Sequence, residues 1–243
     1  KKIAWLQCVG SRNINRCDNG YCSSVCCMYA IKQAVVTNEH VSGGVENAIF
    51  YMDMRTHGKE FDEYYEKAKK DGVRFVQSRI HTVYPDPDGG VLLEYFDDQK
   101  QERVKEQFDM FVLSVGLQTD KDAIELAENM GIKLDKYNFA EASSFDPVST
   151  SVPGIYASGC FQAPKDIPQS VTEASSAAAA ASIALNSKRG SLTEEKTFPE
   201  EKDVTQDEPR VGVFVCSCGI NIGGTVDVKD VTEYAKSLPN VVF

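Results

Sequence analysis

Cys8, Cys17, Cys22, Cys26 and Cys27 crowd into the run QCVGSRNINRCDNGYCSSVCC, which holds five of the eight cysteines of a 243-residue chain. The spacing Cys22-x3-Cys26-Cys27 gathers three sulfurs within about one turn of helix. Thiols bunched in this way suit a soft metal centre, either an iron–sulfur cluster or zinc. Ordinary burial explains one cysteine better than it explains a bunch. Adjacent cysteines without paired C-x2-C knuckles fit structural zinc poorly, so the spacing favours the cluster. Cys17 lies in a polar NRCDNG loop and is the least convincing ligand of the five.

Three further segments carry residues with chemical potential. In SVPGIYASGCFQAPKDIPQSVTEASSAAAA a run ending at Gly159-Cys160 precedes a helix of small residues whose first amides could meet the edge of a flavin ring. Its plain alternative is a strand-to-helix connection followed by an alanine-rich packing helix. Cys216-Ser217-Cys218 could be half a metal site, a redox pair or two cysteines at the end of a strand. Arg55 and His57 follow a strand and could read a ribose, although a surface role explains them as well. No Ser/His/Asp set or paired-carboxylate constellation stands out.

The elements that must position these groups follow from periodicity. Ile3–Gln7, Ala48–Met54 and Val73–Gln77 read as buried parallel strands. Between them, Ser23–Thr37 is apolar at helical spacing with Ser23 or Ser24 as its N-cap, and Phe61–Lys70 is a charged, aromatic helix stopped at Gly72. The β-helix-β-helix-β order predicts a parallel, doubly wound α/β sheet. Its first strand would normally lead into a glycine-rich phosphate cradle; here Gln7-Cys8-Val9-Gly10-Ser11-Arg12 occupies that place, so sulfurs stand where a nucleotide would bind. Ile80–Tyr84, Val91–Phe96 and Arg103–Phe108 alternate around PDPDGG as an antiparallel meander, and Met110–Val115 returns as a buried strand. Beyond it come a short helix at Ile124–Met130, a strand at Gly154–Ser158 and the small-residue helix Val171–Leu185. The expected organisation is residues 1–115 as a Rossmann-like domain carrying the cysteines, 116–186 as part of a flavin-binding domain, 187–209 as a linker and 210–243 as the start of another α/β domain. That last part would restart with a strand at VGVFV, a CSCG turn, a helix near Val228–Ser237 and a final strand.

Composition excludes some function classes. A net charge of −10 argues against a general nucleic-acid surface, which needs clustered Lys and Arg. Three histidines leave little room for His-based metal sites. No apolar run approaches the ~20 residues of a membrane span, and no secretory leader is visible at the start. Eight cysteines without a leader fit a reducing cytoplasm, where thiols hold metals or do redox work. The first residues already read as an interior strand, which points to a piece of a longer polypeptide.

Taken together, QCVGSRN…YCSSVCCMYAIKQA, FYMDMRTHGKEFDEYYEKAKKDGVRFV, FVLSVGLQTD and GIYASGCFQAPKDIPQSVTEASSAAAAA resemble the FAD- and iron–sulfur-bearing subunit of heterodisulfide reductase and its relatives, over about residues 3 to 186. RVGVFVCSCGINIGGTVDVKDVTEYAKSLPNVVF resembles the amino-terminal segment of the same family, as if the back of one copy were joined to the front of another. The resemblance implies an oxidoreductase, a flavoprotein with a thioredoxin-reductase-like core. It would relay electrons between FAD and a [4Fe–4S] cluster in a complex with other redox subunits, such as ferredoxin, a hydrogenase or a formate dehydrogenase. Carried onto this sequence, it makes Cys8, Cys22, Cys26 and Cys27 the cluster ligands. It places Gly159, Cys160 and the amides of Ile167, Gln169 and Ser170 near FAD, and Gly116 where the chain returns to the flavin domain. The family's glycine-rich ADP-binding strand and its ferredoxin-like cluster motifs do not occur here, so this piece by itself is expected to be inactive. Two other readings stand beside this one: a zinc or cysteine scaffold without catalysis, and an NAD-dependent disulfide reductase using the C-x-C pair.

Overall fold

Strand β1 (Lys2–Val9) is the middle of a parallel sheet, and its sequence shows why. Successive side chains of a strand face opposite ways, and here both directions are apolar, as a sheet covered on both faces requires. Trp5 and Ile49 point to one face, where they pack on Ala30, Ile31, Ala34 and Val35. Ala4, Ala48 and Phe50 point to the other, against Leu93, Tyr95 and Phe108. The computed structural model describes residues 1–80, 82–98 and 100–243. It separates into two units, Lys1–Arg189 and Gly190–Phe243.

In the first unit, β1 leads through a long loop to α1 (Cys26–His40), then β2 (Glu46–Tyr51), α2 (Phe61–Lys70) and β3 (Arg74–Gln77). Strands β4 (Val83–Pro85), β5 (Val91–Asp97) and β6 (Glu102–Phe108) form the antiparallel meander, and β7 (Met110–Val115) rejoins the parallel sheet. The sheet order is β3-β2-β1-β7, so β1 has the first βαβ crossover on one side and the returning strand on the other. Register runs Ala4↔Ala48 and Trp5↔Ile49 on one side, Ala4↔Phe111 and Trp5↔Val112 on the other. The meander covers one face, and α1 covers the other with α2 packed beside it. At its turn, Asp86 donates its backbone N–H to the Gly90 carbonyl, and a Cβ on Gly90 would sit 2.3 Å from the Phe108 carbonyl, so only glycine closes this hairpin.

Helix α3 (Lys121–Met130) is capped by Asp120, whose carboxylate accepts from the Asp122 N–H, and it ends at Gly131 in the left-handed region. Ala127, Ile132, Ala140 and Ala157 form a third, smaller core beneath it. Helix α4 (Ile167–Ala184) begins a turn earlier than the small-residue pattern suggests. Asp166 caps it and Pro168 sits in its first turn, where a missing N–H costs nothing. None of its residues is buried.

Several sequence expectations are corrected. Neither Ser23 nor Ser24 caps α1: Val25 occupies that position without a side-chain bond, because the Ser23 hydroxyl is taken by the Leu117 N–H. Gly154–Ser158 is not a strand. Only Tyr156 makes a bridge, to Ser149, since no strand lies alongside to continue a ladder and Gly154 turns the chain at φ +83°. In the second unit the helix forms as α6 (Val228–Lys236), preceded by the short α5 (Gly219–Ile222). The VGVFV strand and its partner at the end reduce to one parallel bridge, Val211↔Val241, too short to nucleate a sheet. Among the described residues, no helix is long and apolar enough to cross a membrane.

Candidate metal centre

In open α/β sheets, binding sites form beyond the carboxyl ends of the strands where strand order reverses. That point here lies between β1 and β7, and Cys8 is at the end of β1. The β1–β7 register breaks between Leu6 and Val9, and Cys8 takes a left-handed φ of +62°. A bulge of this kind re-aims a side chain that the pleat would otherwise direct elsewhere. Ser24, beside the cysteine helix, is also left-handed at φ +61°. Such conformations cost about 1–3 kcal/mol each and persist only where the surroundings hold them.

The loop is held from several sides. Leu117 N–H donates to Ser23 Oγ, Tyr21 donates its phenol to the Leu117 carbonyl, and Tyr29 donates to that of Val115. The Tyr21 ring packs edge-on against Tyr137 and Phe139. Gly116 lies at the tightest point: a Cβ there would sit 2.3 Å from Ser23 Oγ and 3.1 Å from Ser11 Cβ. The need for glycine at 116 is therefore met by contacts inside the chain.

Cys26 and Cys27 open α1 and are buried, while Cys8 and Cys22 are half-buried. These four sulfurs lie within electrostatic reach of one another in every pairing. Burial pushes the Cys26 thiol up to about 12 and the Cys27 thiol to about 11, and the neighbouring cysteines add to the rise. Cys8 is raised too, by burial first, with Arg12 opposing. Thiols held this way are protonated at neutral pH, so taking up a metal would release protons.

Cys17 stands apart. Residues 12–21 form a hairpin, with Asn13 paired to Asn19 and the Arg12 N–H donating to the Tyr21 carbonyl. Cys17 is exposed near its tip, where its thiol donates to the Asn13 carbonyl.

Zn–S bonds of ~2.3 Å would draw four sulfurs to under ~4 Å from one another. Among the described residues, no three His, Cys, Asp or Glu side chains are gathered closely enough to hold a single ion.

Sequence reasoning missed the charged groups around these thiols. Arg12 follows β1, while Asp53 and Arg55 follow β2, and the sheet brings the three together. Arg12 Nη1 donates to Asp53 Oδ1, and Arg55 Nε donates to Asp53 Oδ2 at 3.1 Å. Arg12 lies close enough to Cys8, and Arg55 to Cys22, for their charges to act on one another. The Arg55 backbone N–H donates to Cys27 Sγ and the Ser24 N–H to Cys22 Sγ, both at 3.4 Å. Burial alone would raise Asp53; the bonds from the two arginines outweigh it and hold the carboxyl below its ordinary value. The available signal was topological: in a 3-2-1 parallel order the end of β2 adjoins the end of β1.

Near α4, Gly159 is left-handed at φ +70° and donates its N–H to Glu173 Oε2 at 2.9 Å. The same carboxylate pairs with buried Lys165 at 2.6 Å. Asp166 accepts from the Gln169 N–H, and its carbonyl accepts from the Ser170 N–H and hydroxyl. These amides, expected to face a cofactor, are already bonded within the chain. Cys160 and Ile167 are exposed. A cleft of about 600 Å³ separates the start of α4 from α1 and α2, with Val25, Met28, Tyr29, Phe61, Ile167 and Pro168 among its apolar walls. His57 lines the same cleft, whereas Arg55 belongs to the thiol site.

Residues 17–178 match the model of the family described as pyridine nucleotide-disulphide oxidoreductase. The chain belongs to that family. Within it, the likeness is to the iron-sulfur subunit of heterodisulfide reductase. A CoB–CoM heterodisulfide reductase iron-sulfur subunit of Methanopyrus kandleri is 39% identical over 189 residues, covering 76% of this chain and 28% of that protein. One subunit of the H(2)/formate:CoB-CoM heterodisulfide,ferredoxin reductase of Methanococcus maripaludis is 39% identical over 190 residues, covering 76% and 29%. The chain therefore spans less than a third of the length of these relatives. Among solved structures, the thioredoxin reductase of Lactococcus lactis overlays with a TM-score of 0.47 at 18% identity, covering 76% of this chain and 52% of that one.

Proposed function

We propose that this chain is an electron-relay module of a heterodisulfide-reductase-like oxidoreductase, with Cys8, Cys22, Cys26 and Cys27 holding a [4Fe–4S] cluster. One observation supports the reading: four thiols from β1, the following loop and the start of α1 lie near enough at the switch point of the sheet for each to feel the others' charge. A cluster bound there would accept and return electrons singly. The surrounding chain supplies what such a group needs. Cys26 and Cys27 are shielded from water by α1 and β1, and N–H groups of Ser24 and Arg55 meet the sulfurs. Arg12 and Arg55 offset the negative charge that four thiolates bring.

FAD is the second cofactor of this reading, in the cleft beside Val25 and Ile167. The cleft's apolar walls and its place next to the cysteine helix support a flat ring there. Ile167 and Gln169 would contact it from the α4 side; Gly159, exposed Cys160 and Ser170 belong to the turn that leads into α4, outside the cleft's lining. Gly116 supports the site indirectly, by letting the segment after β7 close on Ser23. Partner redox subunits, with ferredoxin or a hydrogenase among them, would complete the path in the cytoplasm. The relatives' names point that way, through the words ferredoxin reductase and iron-sulfur subunit.

Protein purified without oxygen should contain iron and acid-labile sulfide in equal amounts. Cys26→Ser should abolish both, and Cys17→Ser should leave them intact. Zinc without labile sulfide, or equal loss in the two variants, overturns the assignment. An NAD-dependent reductase would need the phosphate cradle that Cys8 and its neighbours replace after β1.

A further inference from the structure

A cavity of about 290 Å³ lies on the meander face of the sheet, where the ends of β1 and β2 meet the segment after β3. Its inner wall is apolar: Leu6, Phe50, Val83 and Phe111 are the end of the core beneath the meander. Leu113 of β7 also lines it and keeps 51% of its surface exposed. Two arginines from distant segments border the same space, Arg16 from the 12–21 hairpin and Arg79 from the residues after β3. Both are exposed, and among the described residues neither has an ion-pair partner. No described Asp or Glu lines the cavity. Arg79 also borders a second cleft that holds Asp98, but no ion pair joins the two. The side-chain amide of Asn13 and the hydroxyls of Ser78 and Thr82 complete the polar lining, and none of them bonds within the described chain. In a sequence with 36 acidic against 26 basic residues, two arginines without a carboxylate between them call for a different anion.

We propose that this cavity binds a small organic carboxylate, with its charged end held by Arg16 and Arg79 and its apolar body laid against Phe50, Val83 and Phe111. The planar fork of arginine matches a carboxylate with two parallel N–H donors. An apolar wall behind the charges focuses their field into the cavity. The volume is at the small end of ligand sites, which run upward from about 300 Å³. A dinucleotide is too large for it, and Gln7–Arg12 replaces the phosphate cradle that one would need. Cys8 lines the cavity from the end of β1, but the site stands on the arginines and is independent of any metal at the cysteines.

Three probes separate the charge from the body. Isotope-labelled protein is titrated at low salt with phenylacetate, with neutral phenylacetamide and with acetate, and amide chemical shifts report affinity and place. Phenylacetate should bind about tenfold tighter than phenylacetamide, the gain expected of charge-assisted hydrogen bonds. Acetate should bind about tenfold more weakly than phenylacetate, because the apolar wall goes unused. The amides that move should be those of Asn13, Arg16, Ser78 and Arg79.

Arg16→Gln and Arg79→Gln each remove one guanidinium from an exposed position, which leaves the core untouched. Each should weaken phenylacetate about fivefold and leave phenylacetamide as it was. Lys32→Gln, in the cleft between α1 and α4, should change neither. Equal affinity for phenylacetate and phenylacetamide overturns the proposal, and so does acetate binding as tightly as phenylacetate. Unchanged phenylacetate affinity in either arginine variant overturns it too, as does a loss in Lys32→Gln with shifts confined to that cleft. An absence of shifts at millimolar phenylacetate refutes it outright. None of these outcomes bears on the cluster assignment, which iron and sulfide content decides separately.

Discussion

Replacing Gly116 by alanine probes the joint on which the cysteine loop depends. Gly116 is not in the left-handed region, so alanine fits the backbone and the test is purely steric. The added Cβ would lie 2.3 Å from Ser23 Oγ, well inside contact distance, and 3.1 Å from Ser11 Cβ. Both serines are fully buried, and Ser23 Oγ cannot swing away without dropping its bond from the Leu117 N–H. Overpacking of a tight site costs about 1–3 kcal/mol, and the lost hydrogen bond adds about 1 kcal/mol. The expected destabilisation is therefore about 2–4 kcal/mol. With a urea slope of about 2 kcal/mol/M for a unit of this size, the midpoint should fall by about 1–2 M. Equilibrium unfolding followed by the fluorescence of Trp5, which packs in the adjacent core, reads this directly. Gly116→Ala/Ser23→Ala should be less destabilised than the sum of the single variants, because the shorter side chain at 23 relieves the clash. A midpoint within about 0.3 M of wild type, too small for any overpacking cost, would refute the close approach.

Asn47 lies buried between Trp5 and α1, accepting from Trp5 Nε1 at 2.8 Å and donating to the Ala34 carbonyl and Asn38. Asn47→Ala leaves the indole N–H without its partner in the core and should cost about 2–4 kcal/mol in the same assay. Glu106 joins the meander to β3 through Arg74 at 2.6 Å, and accepts from Tyr95 within the meander at 2.8 Å. Burial raises its carboxyl, but these bonds prevail and hold it below the ordinary 4.5. Its contribution is then complete above that value and is lost as pH falls through the lower folded one. Wild type should lose stability more steeply than Glu106→Gln on going below about pH 4.5, and parallel pH profiles would contradict the bond. Lys165→Met strands Glu173 in a site that is only partly exposed and should loosen the Gly159 turn, read as faster amide exchange at Gly159.

Much of the architecture was legible because its cues are local. The β-helix-β-helix-β order, the PDPDGG hairpin and the helix Phe61–Lys70 follow from apolar spacing and turn residues, which neighbours in sequence supply. The misplaced elements fail for the opposite reason. Gly154–Ser158 has strand-like residues, but a strand needs a partner backbone, and Tyr156 finds only a single bridge. The VGVFV segment meets the same limit at Val211. Ser23 has the residue type of an N-cap, yet its hydroxyl serves Leu117, a residue ninety-four positions away that no window around α1 reveals.

The candidate site divides along the same line. Spacing along the chain bunched Cys22, Cys26 and Cys27, yet only Cys26 and Cys27 are in α1. Cys22 lies in the loop before it, with left-handed Ser24 between, so the expected turn of helix does not place it. Cys8 could be added because a βα unit returns its strand end to the start of its helix. The hairpin of residues 12–21, which exposes Cys17 and bonds its thiol to the Asn13 carbonyl, was not visible in the spacing. Arg12, Asp53 and Arg55 could be found only once β1 and β2 lay side by side. Charge and hydrogen bonding act through space, and the separation of residues 12 and 53 along the chain says nothing of the distance between them until the sheet has formed.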